Sequence, residues 1–169
     1  MLYLKPACLK DIEKEYIEIR DMPANDHSME NEWAGIGREA FDDALNVMIS
    51  RSRGEGLPEG WVPETYYFLW DDDKIVGTFH LRHRLCESLA NGAGHIGYRI
   101  DPEYRGRGYA TEGLRLALEE ARKIVPEDEI YLRVDRDNPA SLRVMMKNGG
   151  YLHHEDEQKY YVRIPKRSL

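Results

Sequence analysis

Gly94-His-Ile-Gly-Tyr-Arg-Ile-Asp-Pro-Glu-Tyr-Arg-Gly-Arg-Gly-Tyr-Ala-Thr111 is the stretch on which the reading of this chain turns. It predicts a strand over 94–101, a sharp turn at Asp101-Pro102, and a loop, Arg105-Gly106-Arg107-Gly108, that opens directly into a helix. Glycines let a backbone come close to a ligand, and the unbonded N–H groups of a helix start attract anions. With two guanidiniums beside them, the expected guest is a phosphate or pyrophosphate.

Working outward, the helix after the loop places Leu114, Ala117, Leu118, Ala121 and Val125 on one face and stops at Pro126. Glu129–Asp135 alternates as a half-buried strand, and Asn138-Pro139 starts a second helix, Asn as N-cap and Pro at the first position. That helix ends at Asn148-Gly149-Gly150, and strands follow over 150–155 and 159–165. On the N-terminal side, 64–70 and 74–84 form a hairpin about Asp71-Asp72-Asp73. Ahead of it come a strand at 2–6, a helix over 9–21, an irregular polar stretch at 22–37 and a helix over 38–52. Hairpins require antiparallel pairs, and the strand–helix–strand passage at 94–135 requires a parallel one. The expected class is therefore α/β (α+β): one mixed, mostly antiparallel sheet flanked by helices, with a central parallel pair around the glycine loop.

At 169 residues, with 41% hydrophobic and 33% charged residues, the chain suits a single soluble domain over 1–169. A net charge of −7 argues against nucleic acid as a partner and mildly favours cationic or amine-bearing ones. The apolar runs are too short for a membrane span. Cys8 and Cys86 form no metal-like or redox-like spacing, and a cytoplasmic location is the expectation. His80 and His83 lie three apart on a strand and so face opposite ways, and the neighbours His153 and His154 are expected to diverge likewise. No metal site is expected.

Two nucleotide-binding patterns fail. No Gly-Lys-Ser/Thr occurs, which removes the P-loop. The dinucleotide fingerprint nearly fits from Gly106, but Thr111 stands at its third glycine and Asp101–Tyr104 separates strand from loop. A third pattern, [Arg/Gln]-x-x-Gly-x-[Gly/Ala], is met by Arg105-Gly106-Arg107-Gly108-Tyr109-Ala110. Here the chain resembles the GNAT superfamily of N-acetyltransferases. The strand ending in Asp-Pro-Glu-Tyr matches the family's lead into its acetyl-CoA loop. Asp137-Asn138-Pro-Ala-Ser141, with Val144, Lys147 and Asn148-Gly-Gly-Tyr151, looks like its second cofactor-side motif.

The resemblance implies acetyl-CoA as co-substrate, its pyrophosphate cradled by Arg105, Gly106, Arg107, Gly108, Tyr109, Ala110 and Thr111. Arg99 and Ile100 would meet the pantetheine arm through their backbone, with Asn138 and Ser141 adding hydrogen bonds. A backbone N–H around Gly97 or Tyr98 would serve as oxyanion donor. The reaction would be direct attack of a primary amine of a small molecule or peptide on the thioester. The alternatives are a coenzyme A-binding protein of this fold without transferase activity, and an O-acyl or longer-acyl transferase.

An alkyl ammonium with a pKa near ~10.4 must lose a proton before it attacks. His95, where family members often place a carboxylate or histidine, is the candidate base. The family's usual tyrosine acid is replaced by Met146, which leaves Tyr109, Tyr151, Tyr160 or water to serve. The acceptor pocket is expected from 22–37, 54–63 and the final hairpin turn, with Trp33, Trp61, Asp26, Glu30 and Glu32 suited to a cationic amine. Exposed edge strands leave room for a homodimer.

Overall fold

Strands buried on both faces account for the apolar runs at the centre of the chain. The computed structural model describes residues 1–168. Strand β1 (Leu2–Pro6) leads through a 3-10 turn into helix α1 (Ile12–Asp21). A two-rung hairpin, β2 (Asn25–Asp26) and β3 (Met29–Glu30), lies within the stretch expected to be irregular, and α2 (Arg38–Ser52) follows. Then come β4 (Glu64–Asp71), β5 (Lys74–Arg82), the short α3 (Glu87–Ala90), β6 (Ile96–Ile100) and α4 (Tyr109–Ile124). The chain closes with β7 (Glu129–Asp135), α5 (Pro139–Lys147), β8 (Tyr151–Glu155) and β9 (Lys159–Pro165).

The strands form two antiparallel sheets beside the small hairpin, in the orders β1-β4-β5-β6 and β7-β9-β8. One face of the first sheet packs Tyr66, Phe68 and Trp70 against Ile19 of α1 and Phe41, Ala44, Leu45 and Met48 of α2. The other face packs Leu69, Phe79 and Leu81, with Ile130, Leu132 and Val134 of β7, under Leu114, Ala117, Leu118 and Ala121 of α4. The period of 3.6 in α4 and the period of 2 in the strands thus meet in one core. Gly113 sits mid-helix because α4 lies close on the sheet: a Cβ there would stand 2.5 Å from Phe79. Val125, expected inside α4, is its C-cap, since Pro126 denies the helix another turn.

The expected central parallel pair takes a particular form. β6 and β7 are neighbours but share no ladder; β6 pairs with β5 and β7 with β9. They are pinned at one end, where the His95 N–H donates to the Tyr131 carbonyl at 2.7 Å, and beyond that point they part. The imidazole reinforces the pin: Nδ1 accepts from the Tyr131 N–H at 2.9 Å and Nε2 lies 3.2 Å from Glu127 Oε2. At the far edge, a bulge between Leu152 and His154 puts two successive residues on one side of β8. His153 and His154 therefore do not diverge; their Nδ1 atoms lie 2.8 Å apart.

Candidate active site

The parting of β6 and β7 opens a cleft of about 1050 Å³ that runs from the start of α4 to the face carrying α1 and α2. Its wall on one side is the free edge of β6. The His95 carbonyl accepts from the Arg82 N–H at 2.8 Å, and the Asp101 N–H donates to the Val76 carbonyl at 3.0 Å. Antiparallel alternation between those two bonds turns the main-chain groups of Gly97 and Arg99 toward β5. Those of Ile96, Tyr98 and Ile100 face the gap. Of the two expected oxyanion donors, Tyr98 therefore has the free N–H and Gly97 does not. Arg99 does not offer its backbone to the cleft as expected, because the ladder has taken it. The Ile100 carbonyl accepts from Arg105 Nε at 2.9 Å, which leaves its N–H.

At the donor end, Gly108 caps α4 with φ +81°, and Gly106 has φ +77°. Side chains other than glycine are strained there. A Cβ at either position would meet nothing within 4 Å, so the loop borders open space. The N–H groups of Tyr109, Ala110 and Thr111 occupy the first turn of a 16-residue helix, with no intrahelical acceptor ahead of them. Amides, dipole and open space together fit a pyrophosphate.

The two loop arginines are arranged differently from one another. Arg105 lines the cleft and reaches back to Asp26 Oδ2 at 2.7 Å. Arg107 lies outside the cleft wall, donating to the Glu103 carbonyl at 3.2 Å with its guanidinium over the Tyr104 ring. Lys147, a member of the second motif to which no contact was assigned, lies on the last turn of α5 and lines the cleft.

On α5, Asn138 is the N-cap, its Oδ1 accepting from the Ser141 N–H at 3.3 Å. Ser141 Oγ lies 2.6 Å from the Tyr98 hydroxyl, which ties α5 to β6. Burial pushes the Tyr98 phenol up to about 12. Met146 packs against the main core rather than into the cleft.

Two of the expected catalytic side chains are not in the cleft. His95 is fully buried, with both ring nitrogens committed, so it works as a latch and has no lone pair free for an acceptor. Tyr151 is exposed on β8 and donates to Glu129 at 2.7 Å. Two imidazoles line the cleft, the exposed His27 on the β2–β3 hairpin and the largely buried His80 on β5. The His80 ring lies tilted against that of Tyr66 with centroids 4.1 Å apart, and its buried Nε2 has no partner among the described residues. Burial, then the charges of Arg82 and Arg51, push its pKa down to about 3. Strand parity held the signal for it: His80 and Arg82 share the face of Tyr66.

The far end of the cleft is lined by residues 26–33 and 60–62, within two of the loops expected at the acceptor pocket, whereas the final hairpin turn at 156–157 does not line it. Its aromatic slot is already filled, however. The Arg51 guanidinium lies 5.3 Å from the Trp33 ring and 4.8 Å from that of Trp61, and it pairs with Glu32. Asp26 is likewise engaged, by Arg99 and Arg105. Two groups of side chains approach metal-ligand spacing, Cys8/Asp11/Glu15 and His27/Asp135/Asp137, but Lys5 pairs with Asp11 and Lys159 with Asp135. No helix among the described residues is long and apolar enough to cross a membrane.

Solved structures share this architecture at low sequence identity. A spermidine N-acetyltransferase from Vibrio cholerae, in complex with CoA and spermine, superposes with a TM-score of 0.65 at 16% identity, covering 99% of this chain and 96% of that one. A ribosomal-protein-S5-alanine acetyltransferase from Vibrio fischeri gives 0.68 at 16%, covering 98% and 93%. A ribosomal L7/L12 α-N-protein acetyltransferase in complex with coenzyme A gives 0.67 at 15%, covering 98% and 94%. No curated protein matches the sequence. The model of the acetyltransferase (GNAT) domain matches residues 2–150, and the chain belongs to that family.

Proposed function

We propose that this protein transfers the acetyl group of acetyl-CoA to a primary amine of a small molecule or peptide by direct attack. One observation carries the reading: the uncommitted Tyr98 N–H lies partway along a cleft that joins an amide-rich helix start to a separate acceptor chamber. The neighbours of this fold include enzymes named for acetylating spermidine and ribosomal proteins, and two are in complex with CoA, which supports an amine acceptor and this donor. We read residues 1–169 as one catalytic unit, and the two free cysteines accord with a reducing cytoplasm.

When bound, acetyl-CoA supplies the electrophilic carbonyl and a thiolate that leaves readily, with a thiol pKa near ~8.5. The first-turn amides of α4, with Arg105 and Lys147, hold its phosphates. The Ile100 N–H and the Asn138–Ser141 turn hold the arm. The Tyr98 N–H stabilises charge developing on the carbonyl oxygen. His80 takes the role expected of His95. The ammonium loses its first proton to solvent and attacks as the free amine; the neutral His80 imidazole accepts the second proton once the bond to carbon forms and that N–H becomes acidic.

Calorimetry with acetyl-CoA and a thiol-release screen across amino acids, peptides, small amines and polyamines test this reading. Binding together with amine-dependent release is expected, and His80→Ala should lower kcat about 100-fold with the acetyl-CoA Kd unchanged. Binding without release for any amine would instead assign a coenzyme A-binding protein.

A further inference from the structure

The acceptor chamber holds two arginines that no mechanistic role has yet used. Arg82 projects from β5 on the same face as His80, and Arg133 projects from β7 on the face opposite the buried Ile130, Leu132 and Val134. Both line the cleft. They converge on one segment: Arg82 Nη1 donates to the Gly94 carbonyl at 3.3 Å, and Arg133 Nη1 stands 3.7 Å from where a Cβ of Gly92 would be.

Their charges are poorly answered. Among the described residues Arg133 makes no ion pair, although it is half-buried. The one carboxylate near Arg82 is Glu64 at 3.9 Å, too far for a hydrogen bond. Burial pulls the Arg82 pKa down, Glu64 opposes this, and the nearby Arg133 charge adds to the drop. Burial also raises the Glu64 pKa, which weakens its claim as a counter-ion. Apart from Lys147 at the donor end, the other cations lining the cleft are closely paired: Glu32 answers Arg51, Asp26 answers Arg99 and Arg105, and Asp135 answers Lys159. The contrast is local. Half-buried guanidiniums so weakly compensated are costly, and their planar forks match an oxyanion.

We propose that Arg82 and Arg133 form an oxyanion subsite in the acceptor chamber, and that the acceptor is an amine carrying its own carboxylate or phosphate. This rests on the reading of the cleft as an acetyl-transfer site. His80 lies two residues before Arg82 on the same strand face, so an anion held by the arginines sets the amine of the same molecule beside the imidazole. The slot between Trp33 and Trp61, an aromatic site for a cationic acceptor, is already occupied by Arg51.

The test has a binding arm and a kinetic arm. The Arg133 Nε–Hε signal is followed by NMR, with and without saturating coenzyme A, while N-acetylglycine, N-acetylglycinamide or inorganic phosphate is added. The subsite requires a saturable shift with N-acetylglycine or phosphate, at least about tenfold weaker with the neutral amide, and lost from Arg82 in Arg133→Gln. Equal responses to acid and amide overturn it. If coenzyme A does not bind, the donor-side reading fails, and the sample without coenzyme A still decides the subsite. In the kinetic arm, glycine and O-phosphoethanolamine are compared with glycinamide and spermidine, and their relative kcat/KM identifies which oxyanion is preferred. Arg133→Gln should lower kcat/KM for the anionic amines about tenfold or more at an unchanged acetyl-CoA Kd, with partial recovery in Arg133→Lys. Turnover of spermidine or glycinamide at least as fast as the acids, untouched by Arg133→Gln, also overturns the proposal.

Discussion

Asp26 Oδ2 accepts from Arg105 Nη2 at 2.7 Å, joining the β2–β3 hairpin on the acceptor side to the glycine loop on the donor side. The same oxygen accepts from Arg99 Nε at 2.7 Å. Across the gap, Ser28 Oγ donates to Asp135 Oδ1 at 3.0 Å, so the hairpin spans the mouth between β6 and β7. Asp26→Ala should free the hairpin and leave the buried Arg99 with less compensation, costing about 1–3 kcal/mol. Thermal unfolding reads the loss, and hydrogen exchange should quicken over 24–31. Asp26→Asn, which keeps an accepting oxygen, should lose less.

Gly108 holds a φ of +81° at the start of α4. Gly108→Val strains that turn by about 1–2 kcal/mol and should weaken acetyl-CoA binding roughly tenfold or more by calorimetry. Arg107→Ala should change the affinity by no more than about twofold, because its guanidinium turns to Glu103 and Tyr104 rather than into the cleft.

His95→Ala separates a latch from a base. Removing the ring unpairs the Tyr131 N–H and leaves a void at the pin between the sheets, a loss of about 2–4 kcal/mol. The pH–rate profile of the folded fraction should keep its shape. A profile that loses its acid-side limb would make His95 the base after all.

Stability should depend on pH through Glu15, whose carboxyl is buried and accepts from the Cys8 N–H at 3.0 Å. Burial raises its pKa from 4.5 to about 7. A raised folded pKa favours the protonated native state, so stability is full below 4.5 and falls as pH rises to about 7. The loss is on the order of 2–3 kcal/mol. His80 and His95 act in the opposite sense: burial lowers both, so their contribution is present above 6.5 and is lost on acidification. Glu15→Gln should reduce the slope of the limb between pH 4.5 and about pH 7 in chemical unfolding, the remainder belonging to Glu18, whose burial also raises its carboxyl. An unchanged limb would falsify the assignment.

Where the sequence carries its own periodicity or a chemical stop, its reading and the structure agree. Asn138-Pro139 caps and starts α5, Pro126 ends α4, and the alternation of 129–135 gives β7 residue for residue, because each is set by neighbours a few positions away. The glycine–arginine loop likewise announced the family, which the domain match bears out. The chemistry of side chains was not local in this sense. His95 looked like a base until Tyr131 and Glu127, distant in sequence, took both its nitrogens. Trp33 and Trp61 looked open to an amine until Arg51 lay between them. Which amide of β6 is free depended on its pairing register with β5. Helices, turns and the glycine–arginine loop are properties of short segments, legible in order along the chain. Partnerships of buried polar groups form only when strands far apart in sequence are brought side by side, and it was there that the tertiary structure decided the site.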